Sequence, residues 1–144
     1  MATLERAIQI AVEAHAGQVD KAGQPYILHP LRVMLSLKTD EQRIVGVLHD
    51  VVEDCEGWDF DTLKAEGFSP RIIKALRSVT KRRRGHEEYD DFVRRASENE
   101  IGRHVKRADL VDNMDLQRIS EPTEADFKRL ARYRQAIKIL DSLS

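Results

Sequence analysis

Side chains able to ligate or to move protons stand together in Leu48-His49-Asp50-Val51-Val52-Glu53-Asp54. At 100° per residue, His49, Asp50, Glu53 and Asp54 fall within an arc of about 140° on one helix. Ile44, Val45, Val47, Leu48, Val51 and Val52 fill the rest of the circumference. A helix apolar on most sides is a buried one, and burying an imidazole and carboxylates costs several kcal/mol each unless they are paired. Either a divalent cation with its waters pairs them, or the helix lies at the surface and they are wet. More nitrogen and oxygen donors lie elsewhere. His29 precedes Pro30, which is expected to hold it extended at the entrance to a helix. Asp109 and Asn113 stand one helical turn apart beside Val105 and Ala108, as part of a site or as an exposed pair. His15 ends the first helix, behind a site, facing its substrate, or bonded to backbone. A His, a His-Asp pair and a further Asp make a nitrogen and oxygen set suited to Mn²⁺, Fe²⁺ or Zn²⁺ with positions open for water and substrate. Such an ion acidifies water, and a neighbouring carboxylate can take the proton. Lys21, Lys81, Arg82, Arg83 and Lys106 are the cations available for phosphate charge. Tyr26 either packs against a base or fills its loop.

These residues must be positioned by helices. Thr3 caps a first helix with the stripe Leu4, Ala7, Ile8, Ala11, Val12, Ala14, stopping near Gly17. Residues 18–30 read as loop, and Pro30 suits the first turn of a helix over Leu31 to Leu37. Asp40 caps the central helix, which ends around Cys55-Glu56-Gly57. Asp59 or Asp61 opens a short helix, and Ser69-Pro70 is an N-cap with proline at N1 for the next, through Val79. Helices are predicted over Glu87–Glu98, with Tyr89, Phe92, Val93 and Ala96 inward, and over Gly102–Arg118. The last starts at Pro122-Thr123 and docks through Phe127, Leu130, Ala131, Ile137 and Leu140. No alternating run is long enough for a strand. The expectation is an all-α, single-domain bundle of about eight helices spanning residues 1–144.

Composition narrows the class. The 144 residues suit one domain with a substantial core, and a net charge of −1 gives no pull towards nucleic acid or membrane. Lys81 to Arg84 reads as a solvated turn, so no nucleic-acid partner is expected. Cys55 is the one cysteine, which excludes an intrachain disulfide and a cysteine-type zinc site. No apolar run approaches the ~18 residues of a membrane span, and Met1–Glu5 is no secretory n-region. A cytoplasmic protein is expected. The pattern fixes no oligomeric state.

His15-Ala16-Gly17-Gln18, Gly23-Gln24-Pro25-Tyr26-Ile27-Leu28-His29-Pro30 and Leu48 to Asp54 run in that order, followed by Val79-Thr80-Lys81 and Val105-Lys106-Arg107-Ala108-Asp109 to Asn113-Met114. With this set the chain resembles the HD superfamily of metal-dependent phosphohydrolases. More closely it is similar to the hydrolase domain of RelA/SpoT proteins and to the small alarmone hydrolases. The resemblance implies a Mn²⁺ ion, or another divalent metal, held by His29, His49, Asp50 and Asp109. It implies that Glu53 and Asp54 activate and orient the attacking water, and that Asn113 contacts the ribose or phosphate of a nucleotide. The implied reaction removes pyrophosphate from the 3′ position of guanosine tetra- or pentaphosphate. The synthetase domain of the long relatives has no counterpart. Two departures stand out. Asp20-Lys21 replaces an Arg-Lys pair whose arginine packs on guanine, and Leu110-Val111-Asp112-Asn113 replaces Arg-Leu-His-Asn. The metal and acid residues follow the pattern and the base-recognition residues do not. An adenosine alarmone, another nucleotide or phosphate ester, and a sensing module without turnover are therefore weighed beside the guanosine substrate.

Overall fold

Short polar side chains start the helices where the backbone would otherwise leave amides without partners. Thr3, Thr39, Asp59, Ser69 and Asn99 each accept a backbone N–H from the first turn that follows. The computed structural model describes residues 2–82 and 84–142, with Leu116 described by its backbone alone. Arg83, offered above as a phosphate contact, lies outside them. The described residues form α1 (Leu4–Ala14), α2 (Leu28–Ser36), α3 (Asp40–Leu48), α4 (Val51–Asp54) and α5 (Phe60–Ala65). They continue as α6 (Pro70–Ser78), α7 (Tyr89–Ser97), α8 (Glu100–Asn113), a 3₁₀ turn (Leu116–Arg118) and α9 (Glu124–Ser142). The all-α expectation holds, and no strand occurs among the described residues; Val19 and Pro25 form an isolated bridge within a loop.

The central position belongs to α3, which packs on α1, α2, α6 and α8. Ile44 to Leu48 are all buried there, within one core that gathers Ile10, Val33, Leu63, Leu76 and Val105. A smaller apolar cluster of Val93, Leu110, Ala136, Ile139 and Leu140 joins α7, α8 and α9. No helix among the described residues is long and apolar enough to cross a membrane.

Helix α8 ends at Asn113 and gives way to the 3₁₀ turn, where one helix was expected through Arg118, and the structure departs from local expectation at four further places. The central helix is not continuous through Asp54: α3 ends at Leu48 and α4 starts at Val51. His49 Nδ1 donates to the Gly46 carbonyl at 2.6 Å, the oxygen an unbroken helix would offer to the Asp50 amide. His29 is not extended but lies in the first turn of α2, where the missing N–H of Pro30 costs nothing. Thr39, not Asp40, caps α3, through a reciprocal bond with Gln42. Finally, Phe127 is 54% exposed and Ala131 is exposed too, whereas Leu140 and Ile137 dock as expected, joined by Ala136 and Ile139.

Helix α8 approaches α6 closely at Gly102, where a Cβ would stand 2.1 Å from the Ser78 hydroxyl and 3.3 Å from the Ala96 carbonyl. Gly102→Ala is expected to cost about 1–3 kcal/mol of unfolding free energy through overpacking. Denaturant titration reads this loss, and Ser78→Ala in the same chain should recover part of it. A Gly102→Ala protein as stable as its parent would mean that the helices separate freely.

Candidate metal centre and adjoining cavity

Residues from α2, from the α3–α4 junction and from α8 converge inside the bundle. His29, His49 and Asp50 each offer a ligand atom, all within 4.8 Å of one another. Asp109 joins them from α8, its Oδ1 standing 2.9 Å from His29 Nε2 and 3.3 Å from His49 Nε2. Asp50 Oδ2 lies 3.1 Å from His49 Nε2 and 3.7 Å from His29 Nε2. The wet-surface reading fails for the histidines and Asp109, which are buried, with 2–7% of their surface exposed.

Each donor residue has a further partner outside the cluster. His49 Nδ1 faces a carbonyl and must donate, so Nε2 is the nitrogen turned to the cluster. His29 Nδ1 donates to Asp112 Oδ2 at 2.6 Å, which leaves its Nε2 facing the same point. Asp50 accepts the Tyr26 hydroxyl at 2.5 Å, and the Tyr26 ring packs against those of His15 and His29. Asp109 accepts Lys106 Nζ on Oδ2 at 3.1 Å and Asn113 Nδ2 on Oδ1 at 3.0 Å. His15 is buried, and its Nδ1 donates to Gln18 Oε1; Gln18 in turn donates to the Asp54 carbonyl, bracing the end of α4.

Electrostatics follow from burial and pairing. Burial opposes protonation of His29 and His49, but neighbouring carboxylates outweigh it and raise both pKa values. Burial would raise Asp109, yet Lys106 and the histidines hold it well below the ordinary carboxylate range. Glu53 and Asp54 behave oppositely: burial and the charge of Asp50 push both carboxyl groups up. The acids one turn after the cluster are thus more basic than ordinary carboxylates.

The donor set fits a divalent cation. An ion held at about 2.1 Å by each donor sets adjacent donors about 3 Å apart at right angles. Three of the four nitrogen–oxygen separations, 2.9, 3.1 and 3.3 Å, match that spacing, and the fourth, His29 to Asp50, is 3.7 Å.

A cavity of about 490 Å³ opens beside His29, large enough for a nucleotide, and Lys21, Tyr26 and Asn113 line it. Arg32, Arg118, Arg129 and Tyr133 line it too, and sequence reasoning missed all of them. Arg32 sits three residues after His29, a spacing that could have exposed it, whereas Arg129 and Tyr133 depend on how α9 docks. Burial and, after it, nearby Arg129 pull the Lys21 pKa down. Lys81 and Arg82 lie elsewhere, around a space of about 320 Å³ that Glu53 also lines. Lys106 is behind Asp109, 7% exposed and over the Phe92 ring at 4.6 Å. Asp20 reaches the large cavity, but its Oδ1 accepts the Ala22 and Gln24 amides at 2.9 and 3.0 Å and so closes a turn.

Fold and site together define a helical protein built around a buried His/Asp centre suited to a divalent cation. The chain belongs to the HD-domain family, whose profile matches residues 7–110. It is 32% identical over 121 residues to a guanosine-3′,5′-bis(diphosphate) 3′-pyrophosphohydrolase of Aquifex aeolicus, covering 77% of this chain and 17% of that protein. A GTP pyrophosphokinase of Streptomyces coelicolor is 47% identical over 82 residues, 54% of this chain and 9% of its own length. The chain therefore spans a small part of these curated relatives. A solved structure, of a metazoan ortholog of SpoT that hydrolyzes ppGpp, superimposes with a TM-score of 0.75 at 25% identity. That match covers 99% of this chain and 86% of the metazoan one.

Proposed function

We propose that this chain is a Mn²⁺-dependent 3′-pyrophosphohydrolase of guanosine tetra- and pentaphosphate, with residues 1–144 as one catalytic domain. One observation carries the reading: a cation-sized His/Asp cluster adjoins a nucleotide-sized cavity through His29 and is followed within one turn by a pair of acids with raised pKa. The activity named for the Aquifex relative and for the metazoan structure supports it. His29, His49, Asp50 and Asp109 hold the ion. The bound ion would supply a more acidic water and offset negative charge on the phosphorus oxygens. Glu53 or Asp54 takes the proton as the water oxygen bonds to the phosphorus nearest the ribose. The bond from that phosphorus to the ribose 3′-oxygen breaks, and the carboxyl group returns its proton to that oxygen. Pyrophosphate and GDP, or GTP, are the products. Lys21 and Lys81 contact phosphate and Asn113 the ribose or phosphate, while Tyr26 acts through Asp50 and Lys106 through Asp109. On the same reading the reaction is cytoplasmic.

A second reading, hydrolysis of an adenosine alarmone or another 3′-phosphorylated nucleotide, is favoured by Asp20, whose carboxylate is committed to a turn where the related pattern has arginine. Purified protein incubated with Mn²⁺ and either ppGpp or ppApp separates the two. The expected result is pyrophosphate together with GDP, abolished by a chelator and restored by added Mn²⁺. Faster release of ADP would favour the second reading, and release of neither nucleotide would overturn both.

A further inference from the structure

Asp112 occupies no role in the chemistry above, yet its carboxylate is held to His29 and to two arginines at once. It stands one turn after Asp109 on α8, so helical spacing brings both carboxylates to the side that faces α2. Its Oδ2 accepts His29 Nδ1–H at 2.6 Å. Arg32, one turn after His29 on α2, donates Nε to Oδ1 at 2.7 Å and Nη2 to Oδ2 at 3.1 Å. Arg118, in the 3₁₀ turn, adds Nη1 to Oδ1 at 3.3 Å and Nη2 to the Asp112 carbonyl at 2.9 Å. Three side chains from two segments, α2 and the 3₁₀ turn, therefore fix one carboxylate, and that carboxylate fixes one imidazole.

We propose that Asp112 is a positioning residue for the metal centre: it holds His29 in the Nδ1–H tautomer with Nε2 aimed at the cation, and Arg32 and Arg118 hold Asp112. The inference rests on the divalent-cation reading of the centre and not on any particular substrate. The physical reason is that an imidazole ligates only through an unprotonated nitrogen. A carboxylate on the far nitrogen removes the alternative tautomer and stops the ring from swinging. Arg32 and Arg118 also line the large cavity, so both carry a structural duty there besides any contact with a ligand.

The test compares wild type, Asp112→Ala and Asp112→Asn by calorimetric titration with Mn²⁺ and with Zn²⁺, folding being checked by circular dichroism. Asp112→Ala is expected to bind about 10–100-fold more weakly, and Asp112→Asn, which keeps an acceptor, about three- to tenfold more weakly. In the diamagnetic Zn²⁺ protein, the His29 Nδ1–H proton should give a protected downfield NMR signal that Asp112→Ala loses. A general packing defect would not remove that one signal selectively. If Asp112→Ala does not fold, Asp112→Asn decides, with weakened affinity supporting the inference and wild-type affinity overturning it. An Asp112→Ala protein with wild-type affinity and an unchanged His29 signal would overturn this inference and leave the metal reading standing. A wild type that bound neither ion would overturn both.

Discussion

Replacing Lys106 with methionine will make the folded state lean on a divalent cation. Lys106 is buried, donates to Asp109 at 3.1 Å and lies over the Phe92 ring at 4.6 Å. Burial works against its charge, but Asp109 outweighs burial and raises its pKa, so it is an ammonium inside the protein. Methionine fills a similar volume without the charge and leaves the buried Asp109 carboxylate short of its cation. Breaking a buried pair in this way costs about 3–5 kcal/mol. For a chain of this size that corresponds to a fall in Tm of roughly 10–15 °C. A divalent ion among His29, His49, Asp50 and Asp109 returns positive charge to the same carboxylate. At one hundred times its Kd, an ion stabilises by about 2.7 kcal/mol through binding alone. Because its replacement charge is worth more where Lys106 is missing, added Mn²⁺ should raise Tm further in Lys106→Met than in wild type. Thermal melts in chelator and in Mn²⁺ measure both shifts. Equal Tm values for variant and parent in chelator would show that Lys106 is no counter-charge for Asp109.

Glu53→Gln and Asp54→Asn should separate binding from chemistry. Neither residue belongs to the cluster of ligand atoms, and both follow it by a single turn on α4. Removing the group that takes the proton from water lowers kcat by about 10²–10⁴-fold. Mn²⁺ affinity, measured by titration, should stay near that of the parent, because the donors remain. The pH profile adds a second reading. Burial and Asp50 raise both carboxyl pKa values, so the base is lost by protonation as pH falls, and the acid limb of kcat/KM lies above the ordinary carboxylate range. The variant that removes the acting base should flatten that limb. If both variants turn over at the parent rate, the water is activated elsewhere.

Much of this was legible in the chain itself because it depends on neighbours within a few residues. Thr3, Asp59 and Ser69-Pro70 start helices through bonds to amides two or three positions on. The spacing of Phe92, Val93 and Ala96 turns one face of α7 inward. His49, Asp50, Glu53 and Asp54 were visible as a chemical group because their separations are short. The break in the central helix was not legible, since it turns on the His49 ring taking the Gly46 carbonyl.

The sequence by itself determined the helical class, most helix starts and the short-range groups of acids, imidazoles and lysines, because hydrogen bonds and periodicity over three or four residues settle those. Only the tertiary structure decided that His29 meets Asp109 and Asp112 across about eighty residues of chain, that Lys106 points inward to a carboxylate, and that α9 brings Arg129 and Tyr133 to the cavity. Those outcomes depend on the packing of buried apolar faces from distant helices, which no local pattern encodes. The charges then follow the packing, because a carboxylate removed from water must accept whichever donors the neighbouring helices bring within reach.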